Sequence, residues 1–409
     1  MKKLFKFRAP SFDAQAINET IRSKLEAAGL DTTAGPMRGV TDIIRRSLAA
    51  ASLPAARSGA VANEDVIDVV ARVVDVAPGS ASTRQRSTHP QVQSQSSPPL
   101  GGSFESHEYA NQAGARTYKL YVPAQIAATP PLVVMLHGCT QSPDDFAAGT
   151  CMNQLAEEHG FLVAYPEQPS SANPSKCWSW FKPQDQARNG GEPSLIVGIA
   201  QVVAARYNVD RQRIFVAGMS AGAAMAVILG ETYPEVFAGV GAHSGLPYCS
   251  ANDIPSALLA MKGGRSGMPS LKTKLPLGGQ AKRQTIAKHA VPSIVFHGDR
   301  DHTVQQSNAT EIVQQAKNAH SAAKAAIGLQ VNAEHGTCAS GRSFTRTFYT
   351  DTSGVSRIES WTVQGAGHAW SGGDASGSYT DASGPNASAE MVRFFLSLQG
   401  QVRQARTHA

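Results

Sequence analysis

The chain has 409 residues, 42% of them hydrophobic, with 37 Lys and Arg against 31 Asp and Glu for a formal net charge of +6. That length accommodates one large domain with an appendage, and the basic residues are scattered, so the modest positive excess gives no footprint for a nucleic-acid partner. Its five cysteines, Cys139, Cys151, Cys177, Cys249 and Cys338, show no C-x-x-C spacing, which points to neither a metal site nor a dense disulfide framework.

In chain order, the N-terminus Met1-Lys-Lys-Leu-Phe-Lys-Phe-Arg8 begins with charge, but charges keep interrupting the apolar residues and no sustained apolar core of a signal peptide follows. A cytoplasmic location is the expectation from this start. No run reaches the roughly 18 apolar residues of a membrane-spanning helix. Ile17, Ile21, Leu25 and Ala28 form one helical stripe and Val40, Ile43, Ile44 and Leu48 another, while the Val-rich segment 66–76 is ambiguous between helix and strand. Residues 1–77 are therefore read as a helical extension that docks on protein, the alternative being adhesion to a hydrophobic particle. Residues 78–103, rich in Ser, Gln, Pro and Gly, read as a disordered linker because they lack the large apolar side chains that ordering requires.

From about Phe104 the pattern alternates strand, loop and helix, which predicts an α/β catalytic domain over 104–400, a mostly parallel sheet with helices on both faces, followed by a flexible tail 401–409. Strands are expected at Thr117–Val122, Leu132–Leu136, Leu162–Tyr165, Arg213–Ala217, Gly239–His243, Ser293–Phe296 and Ile358–Val363. Helices are expected at Pro193–Tyr207, Ala221–Thr232, Thr303–Ala319 and Ala387–Leu398. Between Gly245 and Val291 lies a long Gly-, Lys- and Pro-containing insertion of the kind that forms a lid or substrate rim.

The strongest local signal is Gly218-Met-Ser220-Ala-Gly222, a G-x-S-x-G sequence between an apolar strand and a helix of small residues. That is the setting of a nucleophile elbow, in which the serine occupies a strained turn at a helix N-terminus. The N–H of Ala221 is then a natural oxyanion donor. A serine hydroxyl needs a histidine base and an orienting carboxylate, which this arrangement supplies later in the chain. His297-Gly-Asp299-Arg-Asp301-His302 ends one strand with two competing aspartates, and His368, in the glycine loop Gly365-Ala-Gly367-His368, is the best base. His302 is its rival, whereas His137, His243 and His297 read as structural histidines at strand ends. A second oxyanion N–H is expected from Cys139, in the loop after Leu132–Leu136; a structural role suits the Cys139 thiol better than a catalytic one.

Six ordered blocks, Leu136-His-Gly-Cys-Thr140, Cys177-Trp-Ser-Trp-Phe181, Gly218-Met-Ser-Ala-Gly222, His297-Gly-Asp-Arg-Asp301-His-Thr-Val304, Gly367-His-Ala-Trp-Ser-Gly-Gly373 and Gly384-Pro-Asn-Ala-Ser-Ala-Glu390, together resemble the esterase family of poly(3-hydroxybutyrate) depolymerases, whose relatives include feruloyl and acetylxylan esterases. The resemblance covers roughly Tyr118 to Leu398. It implies an α/β-hydrolase fold, a Ser220–Asp301–His368 triad with Asp301 preferred to Asp299, an oxyanion hole at Cys139 and Ala221, and a Cys139–Cys177 bridge; no cofactor or metal is expected, since the sequence shows no ligand cluster or phosphate-binding loop. It also implies an ester or polyester substrate, with an extracellular location, as in secreted members, as the alternative to the cytoplasm. Trp178 and Trp370 are the candidate substrate-binding aromatics. A feruloyl, acetylxylan or small acyl esterase is the nearest rival reading. A granule-associated binding protein with a vestigial hydrolase domain is the rival of another class.

Overall fold

The computed structural model describes residues 101–264, 290–323 and 328–398, all within the second of the chain's two units, Pro99–Ala409. The expectations for the extension 1–77, for nearly all of the linker, for most of the 245–291 insertion and for the tail fall outside these residues. Ser103, grouped with the linker on composition, instead opens the first strand.

The domain is built on one ten-stranded sheet. Its strands are β1 (Ser103–Asn111), β2 (Gly114–Val122), β3 (Leu132–Leu136), β4 (Leu162–Pro166), β5 (Ile214–Met219), β6 (Gly239–His243), β7 (Ser293–Gly298), β8 (Gln330–Thr337), β9 (Ser343–Thr350) and β10 (Ser356–Val363), ordered β1-β2-β4-β3-β5-β6-β7-β10-β9-β8. The central pairs from β4 through β10 are parallel. Both flanks are antiparallel. Two further two-residue strands, β11 (Trp370–Ser371) and β12 (Thr380–Asp381), pair with each other.

Strands β3 to β7 are buried along their whole length because helices cover both faces. Alternate side chains accordingly enter two separate cores. Leu132, Val134, Leu136, Ile214 and Val216 face one, with helices α3 (Gly191–Arg206), α4 (Ala221–Thr232) and α6 (Ser307–Ala323). Val133, Met135, Phe215 and Ala217 face the other, with α1 (Pro143–Thr150), α2 (Met152–His159) and α7 (Ala387–Ser397). The chain leaves β3 toward β4 on one side and returns to β5 on the other, so β3 and β5 are neighbours whose connections part in opposite directions. At their carboxyl ends this leaves the crevice in which α/β sheets hold ligands.

The predicted strands and helices are all present to within a few residues, with one instructive exception. Residues 303–306, expected to begin a helix, form a turn, and α6 starts at Ser307, because the Asp301 carboxylate captures the N–H groups of Thr303 and Val304. The unpredicted α1 and α2 are eight residues each, separated by Cys151 in a left-handed conformation (φ 53°). Ser142 caps α1 by accepting from the Asp145 N–H. Helix α5 (Ile254–Met261), within the insertion, starts with a capping box between Asp253 and Ser256.

Candidate active site

Ser220 sits where β5 turns into α4, with φ 55° and ψ −119°, a conformation a non-glycine residue adopts only under constraint. The constraint is close packing of backbone on backbone. A Cβ on Gly222 would lie 2.1 Å from the Leu136 carbonyl oxygen, and one on Gly218 would lie 2.5 Å from the Gly222 carbonyl carbon. Glycine at both positions lets the elbow press against the end of β3, and the Ser220 N–H is anchored on the His243 carbonyl at 2.9 Å.

Asp301 follows β7 and is buried. Its Oδ1 accepts from the Thr303 and Val304 N–H groups at 2.9 and 2.8 Å, and its Oδ2 accepts from Nδ1 of His368 at 2.7 Å. Burial alone would raise this carboxyl, but the hydrogen bond and charge of His368, with the Val304 N–H, hold it below the ordinary carboxylate value. His368 follows β10, half-buried, in a loop braced against the end of β7: Asp299 Oδ1 accepts from Gly365 N–H at 2.6 Å and the Arg300 N–H donates to Ala366 O at 3.0 Å. Asp299 therefore supports the histidine loop and Asp301 meets the histidine itself. His302, the rival base, is exposed, and its carbonyl accepts from Lys262 Nζ.

Ser220, Asp301 and His368 thus occupy carboxyl ends of β5, β7 and β10 in one contiguous stretch of sheet. No hydrogen bond joins Ser220 Oγ to His368 among the described residues; without substrate such contacts are commonly long.

The loop after β3 completes the site. A Cβ on Gly138 would come within 3.6 Å of Ser220 Cβ, so this loop lies against Ser220. Its backbone groups can be accounted for one by one. Gly138 N–H donates to Gln141 Oε1 (2.9 Å), Gly138 O accepts from His137 Nδ1 (2.7 Å), Thr140 N–H donates to Ser175 O (2.7 Å), and Cys139 O accepts from Thr140 Oγ1 (2.6 Å). Neither Cys139 N–H nor Ala221 N–H has an acceptor among the described residues, the condition an oxyanion donor requires. Cys139 is disulfide-bonded to Cys177, which ties this loop to the one bearing Trp178.

The two tryptophans do not line a groove. Trp178 is 0% exposed and donates from Nε1 to His137 O; Trp370 is 1% exposed, donates to Ser388 Oγ and stacks on His243 at 5.0 Å. Their indoles pack beneath the site, which corrects the substrate-contact expectation: each N–H found a partner inside the protein, and the ring followed it. His137, His243 and His297 are the structural histidines they were read to be. His137 Nε2 accepts from Gln168 N–H, His243 Nε2 accepts from Ser371 N–H, and His297 Nε2 donates to Val304 O. Burial lowers all three, His243 to about 3 with help from the charges of His297 and His368.

Sequence reading missed the braces. Gln141 Nε2 donates to Asp145 Oδ2 and Ser378 O, while Ser378 N–H and Oγ donate to Asp145 (2.8 and 2.6 Å), so a loop 237 residues downstream of Gln141 is latched to the loop after β3. Beneath Cys177, Glu192 accepts from Gln168 Nε2 and Ser179 N–H. These are single polar residues without periodicity, and nothing in the sequence marks them.

A parallel sheet with a strained serine elbow and a histidine–aspartate pair on neighbouring strand ends defines an α/β-hydrolase. An acetyl xylan esterase from Aspergillus awamori shares this fold, with a TM-score of 0.54, 19% identity, and coverage of 72% of this chain and all of that one. The Esterase PHB depolymerase family model matches residues 116–331, and the chain belongs to that family. The match takes in Ser220 and Asp301 and ends before His368. A poly(3-hydroxyalkanoate) depolymerase C from Paucimonas lemoignei is 34% identical over 249 residues, 61% of this chain and 57% of that protein. A probable acetylxylan esterase A from Aspergillus fumigatus is 35% identical over 150 residues (36% of this chain, 39% of that protein), and feruloyl esterase B from Neurospora crassa is 36% identical over 149 residues (36% and 50%). The chain thus spans about half the length of the curated relatives it matches.

Proposed function

We propose that this chain is a serine-type carboxylic ester hydrolase acting on hydroxyalkanoate oligomers or polyester. The observation that carries the reading is the 2.7 Å hydrogen bond between His368 and the buried, backbone-held Asp301, two strands from a strained serine elbow. His368 takes the proton as Ser220 Oγ attacks the ester carbonyl, the Cys139 and Ala221 N–H groups hold the oxyanion, and the histidine returns its proton to the departing alcohol. Water, activated by the same imidazole, then releases the acid. The hydroxyalkanoate assignment is supported by the poly(3-hydroxyalkanoate) depolymerase C matched over 249 residues. Acetylxylan and feruloyl esterases of similar identity over shorter stretches support a second reading, a sugar- or cinnamoyl-ester esterase. The Cys139–Cys177 bridge favours an oxidising compartment over the cytoplasm.

Wild type and Ser220→Ala are compared on short nitrophenyl esters, hydroxybutyrate oligomers, acetylated xylo-oligosaccharides and methyl ferulate. The variant is expected to fold normally and lose turnover by about a million-fold, and a fluorophosphonate is expected to label wild type alone. Near-normal activity in the variant overturns the triad, turnover of sugar or feruloyl esters alone replaces the substrate, and absence of labelling in wild type favours a binding protein with a vestigial site.

A further inference from the structure

One aromatic ring stands open beside the candidate site. Tyr379 is 48% exposed, while Trp178 and Trp370 are buried. It lies between the two loops that matter: its hydroxyl is 3.1 Å from Oγ1 of Thr140, the residue after the oxyanion donor Cys139, and its carbonyl accepts from the N–H of Trp370, two residues after His368. Its backbone is left-handed (φ 54°), a conformation rarely tolerated outside glycine and asparagine. Both neighbours are fixed, Ser378 by Asp145 and Thr380 by the β11–β12 pairing. The ring is therefore held rigid and uncovered at the edge of the crevice.

The hydrogen bonds around it decide what it suits. Thr140 Oγ1 donates its proton to Cys139 O, so the Tyr379 hydroxyl must donate to Thr140. Ser378 Oγ donates to Asp145, and Gln141 Nε2 donates to Asp145 and Ser378. Of the carboxylates nearby, Asp145 turns onto these donors and Asp381 onto Arg342 Nε at 2.6 Å, while Asp374, exposed on the same loop, accepts from the Ser376 N–H. The rim beside Thr140 therefore presents an aromatic face whose nearby side-chain donors are already engaged. A sugar ring's hydroxyls find no free side-chain donor there and gain nothing over their bonds to water, whereas an aliphatic ester chain presents methyl and methylene groups that lose contact with water on the ring face and one weakly accepting carbonyl per repeat.

We propose that the face of Tyr379, fixed by Thr140, is the subsite for the hydroxyacyl unit next to the scissile ester and selects uncharged aliphatic ester chains over sugar esters. The inference rests on the triad reading above.

The test compares Tyr379→Asn, which removes the ring but accepts a left-handed backbone, and Tyr379→Phe, which keeps it. Substrates are the methyl ester of the 3-hydroxybutyrate trimer, 4-nitrophenyl acetate and an acetylated xylo-oligosaccharide. Tyr379→Asn is expected to lower kcat/KM for the trimer about tenfold more than for the acetate, through KM, and Tyr379→Phe to keep the wild-type ratio within about twofold. Equal loss on trimer and acetate, no loss on either, or a loss on the sugar ester as large as on the trimer overturns the subsite. Failure of the triad reading is seen separately, as wild type that neither turns over any ester nor reacts with fluorophosphonate.

Discussion

Two carboxylates are buried on adjacent strands, and only one of them belongs to the candidate site. Asp301, after β7, meets a half-buried histidine and two backbone N–H groups. Glu359, within β10 and 0% exposed, meets Arg346 through both oxygens (3.0 and 3.1 Å), Arg393 Nη2 (2.6 Å) and Trp361 Nε1 (3.3 Å). Guanidinium does not release a proton in a protein, so the Glu359 cluster can only hold charge in place. Imidazole exchanges one readily, and the 14% exposure of the His368 side chain gives it access to the crevice. Burial of a carboxylate thus says little about function; the chemistry of its partner says more.

The comparison breaks if the two residues behave alike. Asp301→Asn is expected to lower ester turnover about 10⁴-fold, because it withdraws the acceptor that fixes the imidazole tautomer, with little change in the denaturant midpoint. Glu359→Gln is expected to destabilise the fold by about 1–2 kcal/mol, because Arg346 and Arg393 lose the buried carboxylate they share but stay partly exposed and paired with Glu334 and Glu390, while turnover per folded molecule persists. Full activity in the first variant, or an unchanged midpoint in the second, removes the distinction.

A third variant combines the two behaviours. Cys177→Ser opens a bridge of sequence separation 38, a loss of about 3–4 kcal/mol if the bridge acts on unfolded-chain entropy. The loop after β3 keeps its Thr140–Ser175 and Gly138–Gln141 bonds, so turnover is expected to fall by less than about tenfold. Denaturant melts and kcat measured with and without reductant check both halves, and a total loss of activity in a folded variant would mean that the sulfur bridge alone shapes the hole.

Much of this was legible in the residues. Strands β3 and β6 and helix α4 have their expected limits because unbroken apolar runs and a glycine-flanked elbow leave little alternative. Of the flanking strands β2 was, but β1, β8 and β9 were not. Gln330–Thr337 is almost wholly exposed and mixes polar with small residues, so it carries no alternation to detect; its pairing with β9 supplies what its side chains do not. Trp178, beside Cys177, and Trp370, two residues after His368, suggested a groove, and their burial depended on acceptors, His137 O and Ser388 Oγ, that only folding brings near. Tyr379, in a Gly- and Ser-rich stretch without periodicity, gave no signal at all.

The smallest expected effect concerns acid. His137, His243 and His297 are neutral in the folded domain because burial lowers them, His243 to about 3. An unfolded chain protonates each near 6.5, so it binds more protons than the folded one below that pH. Their stabilising contribution is complete above about pH 6.5 and declines as pH falls toward the folded values, at about 1.4 kcal/mol per pH unit for each proton taken up. Asp185 and Glu192, raised by burial, act in the opposite sense: the folded state binds their protons first, which offsets part of the loss. The Asp301 carboxyl, depressed, contributes above its unfolded value and loses that contribution only as pH falls through its lower folded value. His243→Asn separates these contributions, since an amide can still accept from the Ser371 N–H but does not titrate. Between pH 6.5 and 4, thermal melts of wild type are expected to lose stability more steeply than those of the variant; parallel profiles would mean that His243 takes up no proton on unfolding.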